Sequence, residues 1–250
     1  MAQVVGLIPA RYASTRFPGK ALKPILGKSM IQRVYEGCLR ASALDALWVA
    51  TDDERIVRAV EAFGGKAVMT SRDHANGTDR LAEAVQHLDA DIVVNIQGDQ
   101  PFIDPLMIEE AVGPLLDEPD LEMATLMHPI HDPKDLADPG VVKTAVDLKG
   151  NALYFSRSLI PYPHEDMPHG VYEHVGLYVY RSAFLSLLAK LAPTPLEQVE
   201  SLEQLRVLEH GYRMRVIITA CEDNAFSGFS IDTQEDLERA EAMLRERGMM

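Results

Sequence analysis

Three cations lie within ten residues, at Arg11, Arg16 and Lys20, interleaved with Ser14, Thr15 and Gly19. Guanidinium and ammonium groups beside hydroxyls and free backbone amides can surround a polyphosphate. A solvated loop with scattered basic residues accounts for the composition equally well. A second signal is Gln97-Gly98-Asp99-Gln100-Pro101, which follows the apolar run Ile92-Val93-Val94-Asn95-Ile96. A carboxylate at the tip of a buried strand can hold a hard divalent cation against substrate phosphates, although Gly-Asp is also a common turn. Gly77-Thr78-Asp79-Arg80 reads as a helix start, with Thr78 or Asp79 as cap and Arg80 able to reach a base, sugar or phosphate. Asp232, just before the last helix, is either a second metal carboxylate or an N-cap.

Two familiar phosphate motifs are missing. A P-loop would need Gly at position 22 or 14, and these hold Leu22 and Ser14. No GxGxxG follows the first strand, so the ATPase and NAD readings both lose their main support.

The elements that must position these groups alternate. The apolar run Val4 to Ile8, stopped by Pro9, reads as a buried strand, followed by the basic loop and a helix capped by Ser29 with Met30, Ile31, Val34 and Leu39 as its stripe. Strands are expected at Ala46 to Ala50, Lys66 to Met69 and Asp91 to Ile96, and helices at Asp52 to Phe63, Thr78 to Leu88 and Pro105 to about Leu116. Continuous apolar strands alternating with helices predict a largely parallel sheet covered on both faces. Its ligand loops leave the carboxyl ends of the strands. Past residue 120 the pattern changes to strands with few helices between them, at Met123 to Met127, Val141 to Val146, Ala152 to Phe155 and Val175 to Tyr180. These predict a small antiparallel extension. Ile160 to Gly170 reads as a surface loop, Leu202 to Leu208 as a helix, Met214 to Thr219 as a strand and Thr233 to Arg247 as a closing helix.

Composition narrows the classes. The 250 residues are 47% hydrophobic and 25% charged, ordinary for one globular unit. With 24 Lys and Arg against 38 Asp and Glu the net charge is −14, which disfavours a nucleic-acid partner. Cys38 and Cys221 form no CxxC pair, so neither a disulfide framework nor a cysteine zinc site is expected. No run of roughly 18 apolar residues is present, and a cytoplasmic protein without a membrane partner is the expectation.

In order along the chain, Leu7 to Lys20 resembles the signature loop of the sugar-activating cytidylyltransferases. Within them the match is to the 3-deoxy-D-manno-octulosonate (Kdo) cytidylyltransferase, or CMP-Kdo synthetase, family. The resemblance continues through Ala50-Thr51-Asp52-Asp53-Glu54, Phe63-Gly64-Gly65, Met69-Thr70-Ser71, Gly77-Thr78-Asp79-Arg80 and Gln97-Gly98-Asp99. It then covers Ala152 to Arg157, His174-Val175-Gly176-Leu177-Tyr178, Leu202 to Arg206 and Ile231-Asp232-Thr233. Three departures stand out: Gln100 where the family commonly has Glu, Asp138-Pro139-Gly140 where it has Asn-Pro-Asn, and a longer segment from Glu222 to Ser230. Gln100 is similar to the subgroup acting on the 8-amino-8-deoxy analogue of Kdo.

The resemblance implies a single nucleotidyltransferase-like (Rossmann-like) α/β domain over residues 1–250. Its nucleotide-binding core would be approximately 1–120 and 200–250, with a sugar-binding and dimerisation lobe at approximately 121–199. It implies CTP and Kdo as substrates, Mg²⁺ as cofactor, CMP-Kdo and pyrophosphate as products, a role in lipopolysaccharide biosynthesis, and a homodimer. Arg11, Ser14, Arg16 and Lys20 would hold the triphosphate, and Asp79 and Arg80 would help hold the nucleotide. Lys20, Arg16, Asp99 and Asp232 would be catalytic, Asp99 and Asp232 as metal ligands. Gln97, Arg157, His174, Tyr178, Glu203 and Gln204 would bind the sugar. A CMP-sialate synthetase is a neighbouring reading, and a nucleotide-binding protein that has lost catalysis is a reading from another class.

Overall fold

The computed structural model describes residues 2–13, 17–74, 76–164, 169–222 and 224–249. Strand β1 (Val4–Ala10) leads through the basic loop into a short ribbon, β2 (Pro24–Ile25) and β3 (Lys28–Ser29), and helix α1 (Met30–Cys38). Then follow β4 (Ala46–Thr51), α2 (Glu54–Ala62), β5 (Ala67–Met69), α3 (Gly77–Ala84), β6 (Ile92–Asn95) and α4 (Pro105–Asp117). The second half holds β7 (Met123–Pro129), α5 (Pro133–Ala137), β8 (Lys143–Val146), β9 (Ala152–Ser156) and β10 (Tyr172–Arg181). It closes with α6 (Ser182–Leu188), α7 (Pro195–Glu200), α8 (Leu205–Glu209), β11 (Met214–Ile218), α9 (Asn224–Ser227) and α10 (Gln234–Glu246).

One nine-stranded mixed sheet runs β11-β7-β10-β6-β1-β4-β5, with β8 and β9 off its path. The segment β6-β1-β4-β5 is parallel, as the apolar strands predict. Successive residues of β1 alternate between two cores. Val4 and Ile8 pack with α1, α2 and α4, whereas Val5 and Leu7 pack with α3, α6 and α8. Burial on both faces explains why the strand sequence lacks polar alternation.

The antiparallel extension is built into the main sheet itself. Strand β10 lies inside the main sheet, antiparallel to both β6 and β7, and β11 runs parallel to β7. Only the β8–β9 hairpin stands off the path. Helices α6 and α7 lie between β10 and α8, in a stretch for which the sequence reading assigns no element. The Thr194/Glu197 capping box that starts α7 was a legible sign of it. Between Val175 and Tyr178 the β10 register slips against β7. Thr125 fills that bulge, its hydroxyl 2.8 Å from the Leu177 carbonyl and 3.1 Å from that of Val175.

Two expected caps are corrected. The cap of α3 is Asn76, whose side chain accepts from the Asp79 amide, because Thr78 and Asp79 already lie within the first turn. The cap of α10 is Thr233, in a reciprocal capping box with Asp236, which leaves the Asp232 carboxylate for another partner.

Candidate active site

Gly19, in the left-handed region at φ 68°, donates its amide to the Tyr12 carbonyl at 3.0 Å and opens the single turn Lys20–Leu22. That closure fixes where Lys20 leaves the loop. At the end of β6, a Cβ on Gly98 would stand 2.7 Å from the Pro9 carbonyl oxygen, so only glycine lets the β1 and β6 ends come this close. The Ile231 amide then donates to the Asp99 carbonyl at 2.9 Å and ties the C-terminal segment to the same point. Phe17, Phe102 and Ile231, neighbours in sequence of the three polar residues, share one small core. The product is a compact corner in which Lys20 Nζ lies 2.9 Å from Asp99 Oδ2 and 3.0 Å from Asp232 Oδ1.

Two carboxylates therefore bracket one position that a cation already favours. Mg²⁺ takes hard oxygen ligands, usually one or two carboxylates together with substrate phosphates and water. Asp99 and Asp232, both partly exposed to the cleft, fit that donor set. Among the described residues no group of three or more His, Cys, Asp or Glu could hold a metal alone. The pair fits an ion that arrives with a triphosphate.

Beside this corner, a recess of about 140 Å³ is lined by Pro9, Ala10, Arg11, His74, Asn76, Gly77 and Arg80. Arg11 is exposed and borders both spaces. Arg80 is only 4% exposed. Its guanidinium donates to Asp52 Oδ2 at 2.9 Å and to Thr70 Oγ1 at 2.6 Å, so it forms the floor of the recess with its charge already paired. Asp79 is half-buried on α3 and does not line the recess. Ser14 and Arg16 lie outside the described residues. The loop that carries them is clasped at its base, where the Arg55 guanidinium stacks 3.3 Å from the Tyr12 ring centroid while forming a bidentate pair with Asp53. That pair holds the Asp53 carboxyl down at about 2.

On the other side of Gln97, a cavity of about 150 Å³ is lined by Pro9, Gly77, Thr78, Asn95, Gln97, Tyr178, Tyr180, Glu203 and Gln204, with apolar walls from Met123, Leu188 and Val207. Gln97 borders this cavity and the Lys20 corner alike, its amide held by donation to the Gly176 carbonyl at 3.1 Å. The β10 bulge explains that bond, because it leaves Gly176 without a partner position on β7. Glu203 and Gln204 precede α8 instead of facing solvent from a helix, and Gln204 is buried. Burial pushes the Glu203 carboxyl above its ordinary range, and the Tyr178 phenol likewise. Two buried oxygens here, Asn95 Oδ1 and Glu203 Oε1, have no hydrogen-bond partner within the protein.

His174 sits behind this cavity, edge-on to Phe155 at 4.9 Å. Burial lowers its pKa to about 3, so the ring is neutral. With the proton on Nε2 it donates to Thr125 Oγ1 at 3.0 Å, leaving Nδ1 to accept from Gln204 Nε2 at 3.5 Å. It orients Gln204. Arg157 is not brought to the cavity: its guanidinium donates to the carbonyls of Glu200, Pro139 and Ser201 at 2.7, 2.8 and 3.4 Å. Asn95 and Tyr180 join this lining from strands whose apolar sequences conceal the position that borders a cavity, while Pro9 lies near the end of β1 and Thr78 in the first turn of α3. The three sequence departures have structural settings. Gln100 donates to the Gly228 carbonyl at 3.4 Å, the 222–230 segment packs through Phe226 stacked on Phe102 at 4.4 Å, and Gly140 donates to Asp138 Oδ1 at 2.7 Å.

A mixed sheet whose parallel strand ends carry a cationic loop, two neighbouring carboxylates and two adjoining cavities has the layout of a nucleotidyltransferase. The cytidylyltransferase family profile matches residues 5–217. The 3-deoxy-manno-octulosonate cytidylyltransferase of Syntrophotalea carbinolica is 51% identical over 97% of this chain and 98% of its own length. That of Synechococcus elongatus is 48% identical over 99% and 100%. A solved CMP:2-keto-3-deoxy-manno-octonic acid synthetase complexed with CTP superposes with a TM-score of 0.90 at 43% identity, covering 98% of this chain and all of that one. A 4-diphosphocytidyl-2C-methyl-D-erythritol synthase from Anaerococcus prevotii shares the fold at TM-score 0.63 and 14% identity. The chain belongs to the cytidylyltransferase family, among the 3-deoxy-manno-octulosonate cytidylyltransferases.

Proposed function

We propose that the protein transfers the cytidylyl group of CTP to Kdo, giving CMP-Kdo and pyrophosphate. The observation that carries this reading is the place of Gln97, which borders both the Lys20–Asp99–Asp232 corner and the polar cavity. A nucleotide α-phosphate at the corner and a sugar in the cavity would meet beside it. The anomeric C2 hydroxyl oxygen of Kdo forms the new bond to the α-phosphorus, the bond from that phosphorus to the β-phosphate bridge breaks, and the hydroxyl proton passes to solvent.

The protein contributes position and charge. Arg11, Arg16 and Lys20 neutralise the triphosphate, with Ser14 and neighbouring amides assisting. Arg80 supports the nucleotide recess from below, with Asp79 one residue away on the same helix. Asp99 and Asp232 would hold Mg²⁺, which when bound supplies Lewis-acid charge at the phosphate oxygens. The phosphates then become the natural partners of the Lys20 ammonium. Tyr178, Glu203, Gln204 and Gln97 offer hydrogen bonds to a polyhydroxylated acceptor, and His174 holds Gln204. Arg157 shapes the strand exit beside the cavity.

Residues 121–199 would supply acceptor and dimer contacts. The β8–β9 hairpin carries Leu148 and Leu153 fully or largely exposed, in keeping with a homodimer. The two cysteines are free and buried, in keeping with a cytoplasmic enzyme. No helix among the described residues is long and apolar enough to cross a membrane. The product would feed lipopolysaccharide assembly.

The test is pyrophosphate release from CTP and Mg²⁺ with Kdo, its 8-amino analogue and a sialic acid in parallel. Release with Kdo supports the proposal. Release with the analogue or the sialic acid alone reassigns the acceptor, and silence with all three from a folded, CTP-binding protein favours a passive nucleotide binder.

A further inference from the structure

We infer that Arg55 is a positioning residue for CTP, holding the cationic loop through the Tyr12 ring without touching the nucleotide. The inference rests on the Lys20 corner as the triphosphate site, the nucleotide half of the reading above. Helix α2 starts at its cap Asp53, a buried carboxylate that accepts from the Arg55 amide at 2.9 Å, from Arg55 Nε at 2.8 Å and from Nη2 at 2.6 Å. A bidentate pair with so short a connection leaves the guanidinium plane little freedom to turn. Its Cζ stands 3.3 Å from the Tyr12 ring centroid, the separation of a face-on stack. Tyr12 in turn bears on the residue before Lys20. Its carbonyl accepts the Gly19 amide at 3.0 Å, and its Cε2, Cζ and hydroxyl oxygen would each stand 3.3 Å from a Cβ at Gly19. Gly19 opens the turn Lys20–Leu22, which packs against α2. Contacts therefore run from a helix cap through Arg55, Tyr12 and Gly19 to the ammonium between Asp99 and Asp232.

Arg55 itself lines neither the Lys20 corner nor the adjoining recess. Its charge is also matched, so a triphosphate drawn to the guanidinium would meet the Asp53 carboxylate as well. The guanidinium is a plate under the loop and not a further phosphate ligand. Fixing a loop before the ligand arrives lowers the ordering cost of binding, which places the effect in CTP affinity. A contact that supports the triphosphate alike before and during transfer governs KM more than kcat.

The test measures the Kd for CTP by titration calorimetry without sugar, and steady-state constants with Kdo, in Arg55→Ala, Asp53→Asn, Tyr12→Leu and Tyr12→Phe. Arg55 is more than half exposed, so Arg55→Ala should melt close to wild type. Asparagine still caps a helix, so Asp53→Asn unhooks the guanidinium while sparing α2. CTP should bind about 5-fold more weakly to Arg55→Ala, Asp53→Asn and Tyr12→Leu, with kcat and the KM for Kdo within about 2-fold of wild type. Tyr12→Phe keeps the ring and should restore the affinity lost in Tyr12→Leu. The double variant Arg55→Ala with Tyr12→Leu should bind CTP no more weakly than either single variant, because both remove one contact. Asp53→Asn separates plate from ligand by sign, since an Arg55 that reached the phosphates would bind CTP more tightly once released. Tighter binding in that variant overturns the inference, as do an unchanged CTP affinity in Arg55→Ala and losses that add in the double variant. Wild type that fails to bind CTP overturns the nucleotide reading and this inference with it, whereas wild-type binding with unaltered variants overturns this inference alone.

Discussion

Lys20 Nζ stands 2.9 Å from Asp99 Oδ2 across 79 positions of sequence, with Asp232 on its other side at 3.0 Å. An ammonium set between two carboxylates marks where positive charge is best accommodated in this cleft. Asp99→Asn keeps the shape of the corner and removes one charged ligand. Turnover should fall at least about 100-fold while Tm changes little. Steady-state kinetics beside a melting curve checks this, and normal activity in the variant removes Asp99 from the chemistry.

Gly98 decides how closely the β1 and β6 ends approach. In Gly98→Ala the new Cβ would meet the Pro9 oxygen at 2.7 Å, and backbone must move. Overpacking of this kind costs about 1–3 kcal/mol, and the displacement of Gln97 and Asp99 should lower kcat/KM about 100-fold. Urea unfolding with kinetics on the same sample reads both. An alanine variant as active as wild type would mean that this approach does not set the site.

The Arg80–Asp52 pair separates support from contact. Removing Asp52 leaves a buried guanidinium with Thr70 and the Ser71 carbonyl as acceptors but no counter-charge. Asp52→Ala should destabilise by about 3–5 kcal/mol. Chemical denaturation measures it, and a loss below about 0.5 kcal/mol would show the pair to be incidental.

The neutral His174 gives a pH signature. Its pKa is lowered to about 3 in the fold, while an unfolded histidine titrates near the usual ~6.5. As pH falls below the unfolded value the unfolded chain takes up the proton first. Stability is therefore full above about 6.5 and declines towards about 3, by up to about 1.4 kcal/mol per unit. His174→Gln should flatten that decline between about pH 6.5 and about pH 4.5. Parallel slopes for the two proteins would contradict a buried neutral ring.

The strands and helices of the first half were legible because burial on both faces of β1, β4 and β6 leaves continuous apolar runs. Lys20, Asp99 and Asp232 were visible as residue types at strand and helix ends, but their convergence depends on the Ile231–Asp99 backbone bond, which no local pattern encodes. The place of β10 inside the sheet was hidden for a similar reason, since its partners on β7 and β6 lie from 43 to 89 positions away and leave no spacing to read. Arg80 stands in the sequence without a visible partner, because Asp52 belongs to another strand end, and only the fold reveals that the recess floor carries a paired guanidinium.

The α-phosphate of CTP should pass to a sugar acid held beyond Gln97. Incubating the protein with Mg²⁺, Kdo and CTP labelled at the α-phosphorus tests it most directly. Label recovered in CMP-Kdo in step with unlabelled pyrophosphate is the predicted result. Label remaining in CTP, or appearing only as free CMP whether or not Kdo is present, would contradict it.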